Sequence, residues 1–167
     1  MGRSKIVAEV INKFLSATLE EISMLSCEVE TKAEAMAAGP RKGALNFDAS
    51  ARVKGVIAEA EGLPVGMYTH FALEIFQDRK PTKKDPSPRT DLARISVGYA
   101  SFFSVSPINK DAISEHECDE FAVTEGFRLI QPYIQQHMSE ITGRLGFPPL
   151  LIPSGAIDVE IYIELES

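Results

Sequence analysis

A chain of 167 residues has the usual size of one domain, about 100–200 residues, and can bury a core without disulfides. A net charge of −7 argues against a nucleic-acid partner, because phosphate binding depends on clustered Lys and Arg. Cys27 and Cys118 lack metal-binding spacing and are too few for a disulfide scaffold, which favours a reducing compartment. No apolar run approaches the ~18 residues of a membrane helix, so the sequence predicts a soluble cytoplasmic protein without membrane insertion.

The first part of the chain predicts a helix followed by a strand. Apolar residues from Ile6 to Leu19 fall on one helical face, which predicts an N-terminal helix over residues 1–21. From Leu25 the period changes to two, as Cys27 and Val29 alternate with charged residues. We therefore expect a first strand with one face in water.

Three further strands are predicted between residues 45 and 105. Alternation runs from Leu45 to Ile57, from Met67 to Phe76 and from Ile95 to Val105. Residues 77–91 contain three prolines and no large apolar residue, which predicts a long loop between the third and fourth strands. Together with the first strand, these segments predict a sheet of four antiparallel strands within residues 22–110.

The last third of the chain predicts a long helix over residues 113–145 and then a strand. Apolar residues from Val123 to Leu145 recur in steps of three and four, Ser114 and Glu117 fit a helix cap, and Gly146 fits a stop. Within residues 146–167, Ile157 and the alternating residues after it predict a C-terminal strand, which we expect to pair with a sheet edge. The predicted architecture is one α+β domain over residues 1–167, with the long helix covering one sheet face.

No catalytic, metal or cofactor site is predicted. His116-Glu117-Cys118-Asp119 groups four ligand types, but adjacent residues point apart on a helix or a strand, so a solvated helix start is the simpler interpretation. Neither phosphate-loop motif occurs, and Cys118 has no flanking nucleophile signature. The aromatic residues are more informative: Tyr68, Phe76 and Phe102 lie opposite the predicted core, where they form contact surface or pack against the N-terminal helix or a neighbouring subunit.

One segment is similar to a known family. Pro132-Tyr133, twelve intervening residues and then Gly146-Phe147-Pro148-Pro149-Leu150-Leu151 resemble, without a gap, part of the SecB family of protein-export chaperones. The strands at residues 66–73 and 100–105 are similar too. The resemblance implies a SecB-like fold, with a four-stranded antiparallel sheet followed by a long helix and assembled as a dimer of dimers. It also implies that unfolded clients are held in hydrophobic grooves without ATP, and that the protein is not an enzyme.

The resemblance also assigns residues. The client-binding grooves would be lined by Phe102, Phe103, Phe147, Leu150 and Leu151, and the aromatics Tyr68 and Phe76 join this predicted contact surface. Since the long helices of the family pack between paired dimers, the predicted oligomer interface contains Gln131, Tyr133, Gln135, Gln136 and Ser139.

Three differences from the family favour a divergent member. Pro132-Tyr133 is followed by Ile134-Gln135 where the family has a small residue and Arg, no Lys-Asp-aromatic motif occurs in residues 22–36, and a strand replaces the second helix at the C-terminus. Docking to the translocation motor SecA would therefore depend on Glu28, Glu30 and Glu34, whose alternative interpretation is a solvated strand face.

Two functions follow as expectations. The first is an ATP-independent holdase for exported proteins or for a dedicated client such as an antitoxin. The second is a non-catalytic oligomeric module on the same scaffold, whose aromatic surface is fully used by oligomerisation or by one folded partner.

Overall fold

A five-stranded sheet forms the framework of the protein. The computed structural model describes residues 16–32, 45–58, 65–86, 88–106, 113–148 and 150–162. The strands are arranged in the order β1-β4-β3-β2-β5 and are β1 Ser16–Thr31, β2 Asn46–Ile57, β3 Val65–Asp78, β4 Arg89–Ser106 and β5 Ile157–Ile161. The first four strands pair antiparallel, whereas β5 pairs parallel with β2.

One long helix lies between β4 and β5. It consists of α1 (Glu115–Phe121), a π-helical segment (Ala122–Gly126) and α2 (Phe127–Arg144). The predicted cap is confirmed, because the Ser114 hydroxyl accepts a hydrogen bond from the Glu117 N–H at 3.2 Å.

The predicted stop at Gly146 is also confirmed. This glycine has φ +85°, a conformation that L side chains rarely adopt. The Phe147 N–H donates to the Thr142 carbonyl at 3.0 Å and the Gly146 N–H donates to the Gly143 carbonyl at 3.1 Å. This pair of bonds is the Schellman arrangement, which satisfies carbonyls left free at a helix end.

The long helix crosses the sheet from β2 towards β4. At its start, a Cβ on Gly55 of β2 would lie 2.1 Å from the Cys118 carbonyl carbon, so only glycine permits this approach. The Asp119 carboxylate accepts from the Gly55 N–H at 2.9 Å and from Lys54 Nζ at 3.0 Å. Further along, the His137 ring stacks on Tyr99 of β4, with 5.6 Å between ring centroids.

The core fills the space between the sheet and this helix. The sheet face turned to the helix, here the helix-side face, contributes fully buried residues such as Val53, Phe71 and Val97. The helix contributes Phe121, whose ring meets Phe103 edge-on with 5.2 Å between centroids, together with Ile130, Ile134 and Met138. The opposite, open face of the sheet has no helix over it among the described residues.

The predicted N-terminal helix is wrong where it can be checked. Residues 16–21 begin β1, which pairs with β4 from Ser16 to Thr31; residues 1–15 lie outside the described residues. Of the apolar residues that suggested the helix, only Leu19 lies within the described residues, and its pairing with Phe103 of β4 holds this part of the chain extended. Bulges at Glu20 and Leu25 each insert one residue into β1, so its helix-side residues are spaced by alternating steps of two and three: Ala17, Leu19, Ile22, Met24, Cys27 and Val29.

The sheet also differs from the prediction at its other end. β3 continues to Asp78 and β4 begins at Arg89, which shortens the predicted loop. The C-terminal strand is a fifth member of the sheet, paired within the chain from Ile157 to Ile161, and residues 163–167 lie outside the described residues.

Candidate functional site

The seven residues predicted to bind clients do not line one groove. Phe103 is 0% exposed, since its register opposite Leu19 and Val65 places it on the helix-side face against Phe121. The prediction for Phe103 is therefore corrected to a core position. Phe102, the residue before it on β4, lies on the open face because successive side chains of a strand alternate.

A shallow groove of about 290 Å³ lies on the open face near Tyr68. We call it the tyrosine groove and define it by its three exposed apolar residues: Leu25, which is 61% exposed, Tyr68, which is 50% exposed, and Tyr162. Gly98 belongs to the lining, and a Cβ there would lie 2.7 Å from the Ser26 hydroxyl. The absence of a side chain on this part of β4 keeps the groove open.

Nitrogen-bearing side chains also line the tyrosine groove. Arg52, Lys54 and His70 come from β2 and β3, where Lys54 is the register partner of Tyr68 and Arg52 that of His70. Lys54 is also ion-paired to Asp119. The groove thus combines apolar and aromatic surface with hydrogen-bond donors, an arrangement suited to an extended polypeptide.

The other two aromatics predicted on the open face are half-buried. Phe102 packs next to Gly66, where a Cβ would lie 3.3 Å from its ring. Phe76 lies beneath the Arg89 guanidinium, 4.6 Å from the ring centroid. Phe76 therefore supports an ion cluster and presents little apolar surface.

That ion cluster occupies one end of the open face. Arg89 reaches Asp48, Glu74 and Asp91, each at 3.1 Å. The pKa of the Arg89 guanidinium is raised, chiefly by its hydrogen bond to Glu74. These contacts tie β2, β3 and β4 together near the β3–β4 connection.

The predicted docking residues lie beside this cluster. Glu28 and Glu30 are exposed on the open face of β1, and Glu30 faces Arg94 in the register, while Glu34 lies outside the described residues. A groove of about 270 Å³ is lined by Glu30, Glu74 and Asp91 together with Arg94 and Lys32. Its acidic character is therefore partly offset by two cations.

The segment after the helix carries the remaining predicted client-binding residues. Phe147 and Leu150 are half-buried against the core, whereas Leu151 is 83% exposed. The next residue, Ile152, is buried, and its carbonyl accepts a hydrogen bond from Gln135 Nε2 at 2.7 Å. This bond fixes the segment against α2 and leaves Leu151 projecting into solvent, on the other side of the sheet from the tyrosine groove.

The predicted interface residues on α2 have different environments. Gln135 has the role within the chain just described, and Gln136 donates to Glu140 on the same helix at 3.3 Å. Tyr133 is exposed, whereas Gln131 and Ser139 are half-buried. Tyr133 and Gln136 are thus the two members of the set that are exposed in the single chain.

Sequence reasoning missed an apolar surface on β1. Met24 and Val29 are 43% and 41% exposed, and Cys27 between them is exposed, although all three lie on the helix-side face. We call these three residues the β1 shelf. Their partners on β4 are buried, so the cover that the described residues give the sheet ends between β4 and this half of β1. The alternation of β1 gives the face, but only the path of the long helix shows that this helix does not cover it.

The Cys118 thiol, considered above as a nucleophile, is buried in the core. Burial raises the pKa of the Cys118 thiol to about 11, which keeps it protonated and weakly nucleophilic. Within the described ranges no group of three or more His, Cys, Asp or Glu could hold a metal ion. The helix in this part of the chain is not long and apolar enough to cross a membrane.

Comparison with solved structures shows that the chain has a SecB-like fold. The SecB-like chaperone Rv1957 of Mycobacterium tuberculosis, solved in complex with a ChAD peptide from the HigA1 antitoxin Rv1956, aligns with a TM-score of 0.60. The alignment covers 88% of this chain and 94% of that chain at 20% identity, so the likeness establishes the fold. The resemblance to the SecB family stated from the sequence is confirmed at this level.

Other comparisons add little. A protein of unknown function from Streptococcus agalactiae aligns over 83% of this chain and 97% of that chain, but its 12% identity and TM-score of 0.39 are too low to support an inference. No protein-family model and no curated protein matches the chain.

Proposed function

We propose that this protein is a divergent SecB-like chaperone, a non-catalytic holdase that binds unfolded or non-native polypeptides without ATP. The observation that carries the proposal is the exposed apolar surface on a SecB-like fold whose core is otherwise closely packed. Tyr68 and Leu151 are its most informative members, since both were predicted to bind clients. Tyr68 is 50% exposed and Leu151 is 83% exposed, and neither belongs to the core.

The tyrosine groove is suited to weak binding of many sequences. Aromatic rings provide large contact area at low conformational cost, and the donors on Arg52 and His70 can satisfy backbone carbonyls of an extended client. A groove of about 290 Å³ holds only a few side chains, so strong binding needs several such sites on one client. Leu151, on the other side of the sheet, provides a second contact for the same chain.

The β1 shelf supports the proposal that the protein forms an oligomer. Among the described residues β1 is an outermost strand of the sheet, sixteen residues long, and a long edge with an exposed apolar row is a template for pairing with another chain. We propose that a second copy covers Met24, Cys27 and Val29, and that Tyr133 and Gln136 contact a further copy in a dimer of dimers. Phe147 and Leu150, which are half-buried against the core, then support the exposed Leu151.

A dedicated client is favoured over general export. The M. tuberculosis protein with this fold was solved with a peptide from an antitoxin. By analogy we propose an antitoxin or one exported protein as the client here, bound in the cytoplasm. Docking to SecA through Glu28 and Glu30 is the second partner proposal, and it is weakened by Arg94 beside them.

The test is suppression of aggregation of a chemically denatured client without ATP, with the oligomer mass measured by light scattering. We expect suppression at stoichiometric oligomer, and a severalfold loss for Tyr68→Asp and for Leu151→Asp at unchanged oligomer mass. Lys80→Gln, on the exposed β3–β4 connection, is the control because it makes the net charge more negative by the same one unit. A well-formed oligomer that suppresses nothing would contradict the holdase and favour a module with one folded partner.

A further inference from the structure

The outer edge of β2 is occupied by the short strand β5. Five residue pairs join them, from Ala49 with Ile157 to Val53 with Ile161, and the Tyr162 N–H then donates to the Val53 carbonyl at 2.8 Å. Beyond Val53 the next outward N–H, that of Gly55, is bound by the Asp119 carboxylate. The edge is therefore a bounded slot, closed at one end by the start of the long helix.

β5 is held in this slot by few interactions. It pairs parallel with β2, a slightly less stable arrangement per residue than antiparallel pairing. Among its three helix-side residues only Ile157 is buried, whereas Val159 and Ile161 are half-buried. Above the strand lies the π-helical segment Ala122–Gly126, a form of helix that is rare and frequent at functional sites.

The connection before β5 permits it to leave. Ser154, Gly155 and Ala156 form a 3-10 turn whose residues are all exposed, and no atom lies within 4 Å of a Cβ built on Gly155. Before this turn, the chain is held against the long helix at Ile152, which is buried and accepts a hydrogen bond from Gln135. Among the described residues from Pro153 onward, Ile157 is the one that is buried, so separation of this segment exposes one core side chain and leaves the Ile152–Gln135 bond in place.

The sequence of β5 shows what the slot accepts. Ile157, Val159 and Ile161 face the helix, while Asp158 and Glu160 lie on the open face. Glu160 is the register partner of Arg52, which makes no ion pair within 4 Å in the described part of the chain. An extended segment with β-branched residues at alternate positions and acidic residues between them matches both faces of the slot.

We propose that the outer edge of β2 is a strand-binding slot, and that an extended client segment of the β5 pattern binds there by displacing β5. This inference rests on the proposed function, since the displacing segment is part of an unfolded client. Backbone hydrogen bonds to Ala49, Ala51 and Val53 supply affinity for any extended chain, and the alternating side chains supply selectivity. β5 lowers the apparent affinity for every client by the same factor, because each client must replace it, so only well-matched segments bind appreciably.

The experiment locks β5 in place by a disulfide in the full chain. Ser50→Cys and Asp158→Cys are register partners on the open face, and Cys27→Ser removes the exposed native thiol. The probe is a fluorescent peptide that copies residues 155–162. We expect the oxidised lock to bind it at least tenfold more weakly than the same protein after reduction, and NMR of the reduced protein to show probe contacts along Ala49–Val53.

A second lock is the matched control. Thr18→Cys and Ser104→Cys, also with Cys27→Ser, join register partners of β1 and β4 on the same face but away from the slot. Oxidation of this control is expected to leave probe binding unchanged. A loosened variant, Val159→Asp, is expected to bind the probe at least threefold more tightly than the wild-type chain, because its own strand competes less.

The outcomes separate this inference from the proposed function. Equal probe binding by the oxidised and reduced lock, or no probe binding by the reduced lock and by Val159→Asp, overturns the slot. If the wild-type chain still suppresses aggregation in that case, the holdase stands and only the slot fails. Failure of the wild-type chain in the aggregation assay, with probe binding intact and sensitive to the lock, overturns the holdase and leaves a strand-binding module.

Discussion

The two faces of the sheet are made by the same strands but differ in how their residues are covered. On the helix-side face, Phe71, Val97 and Phe103 are fully buried, and the His137 ring lies against Tyr99. On the open face, Arg89 binds three carboxylates at one end, while Tyr68 remains half exposed at the other. Stability therefore resides mainly on one face, which leaves the other free to vary and to bind.

The largest expected contrast is between adjacent phenylalanines. Phe103→Ala should lower the free energy of unfolding by about 3–5 kcal/mol, because it leaves a cavity beside Phe121. Phe102→Ala removes a half-buried side chain of the open face and should lower the free energy of unfolding by about 1–2 kcal/mol through lost burial alone. Urea denaturation followed by circular dichroism measures both, and equal losses would contradict the assignment of Phe103 to the core.

Gly55→Ala tests the contact that seats the helix on the covered face. We expect a loss of about 1–3 kcal/mol in the free energy of unfolding, because the new methyl would overlap the Cys118 carbonyl and the helix must shift. Gly143→Ala is the matched control: nothing lies within 4 Å of its Cβ position, so a gain of about 0.5–1 kcal/mol is expected from helix propensity. A neutral Gly55→Ala would show that the helix does not contact β2 so closely.

Tyr99→Phe tests the polar contact between helix and sheet. Burial raises the pKa of the Tyr99 hydroxyl, so it stays protonated, and it shares a hydrogen bond of 2.9 Å with His137 Nδ1. Removal of the hydroxyl should lower the free energy of unfolding by about 0.5–1.5 kcal/mol, and combination with His137→Phe should add less than the two single effects. Full additivity in this double-mutant cycle would rule out the hydrogen bond.

The rates at which the two cysteines react with a thiol reagent measure how accessible the β1 shelf and the start of the long helix are. Cys27 on the β1 shelf should react quickly with a thiol reagent in the single chain, and more slowly as oligomer forms if a second copy covers it. Cys118 should react only on unfolding, because it is buried with its pKa raised from 9.0 to about 11. Rapid labelling of both in the native protein would contradict the burial of Cys118.

The same raised pKa predicts how stability depends on alkaline pH. The folded state holds the Cys118 proton more tightly than the unfolded state, so this stabilisation is present below pH about 9.0 and is lost as pH rises towards about 11. Thermal denaturation across that range should show a weaker pH dependence in Cys118→Ala than in the wild-type chain. An identical dependence in both proteins would exclude Cys118 as its source.

The smallest expected effect on stability is that of Tyr68→Asp on the open face. Because half of this side chain is already in water, the free energy of unfolding should change by no more than about 0.5 kcal/mol. Urea denaturation of the same sample used for client binding makes the check. A large loss of stability would mean that the tyrosine packs into the fold, and the binding defect proposed for this variant would need another explanation.

Local patterns predicted the parts of the fold that depend on near neighbours. Ser114 and Gly146 bound the helix through bonds to residues within a few positions, and the alternation of β2, β3 and β4 followed from burial of one face. The start of β1 was misread as helix because the strand there depends on pairing with β4, far away in sequence. The bulges at Glu20 and Leu25 also arise from that pairing, and they interrupt the period of two that strand prediction uses.

Sequence patterns were sufficient to predict strands β2 to β5, the long helix with its caps and the resemblance to the SecB family. The accessibility of the aromatics depended on the tertiary structure, since Phe102 and Phe103 are adjacent and only strand register tells which one meets the helix. It also brought Leu25, Tyr68 and Tyr162 to one groove and placed β5 on the edge of β2. The physical reason is that periodicity along a chain reports which side of an element is apolar, whereas the path of the long helix and the pairing of distant strands decide what covers that side.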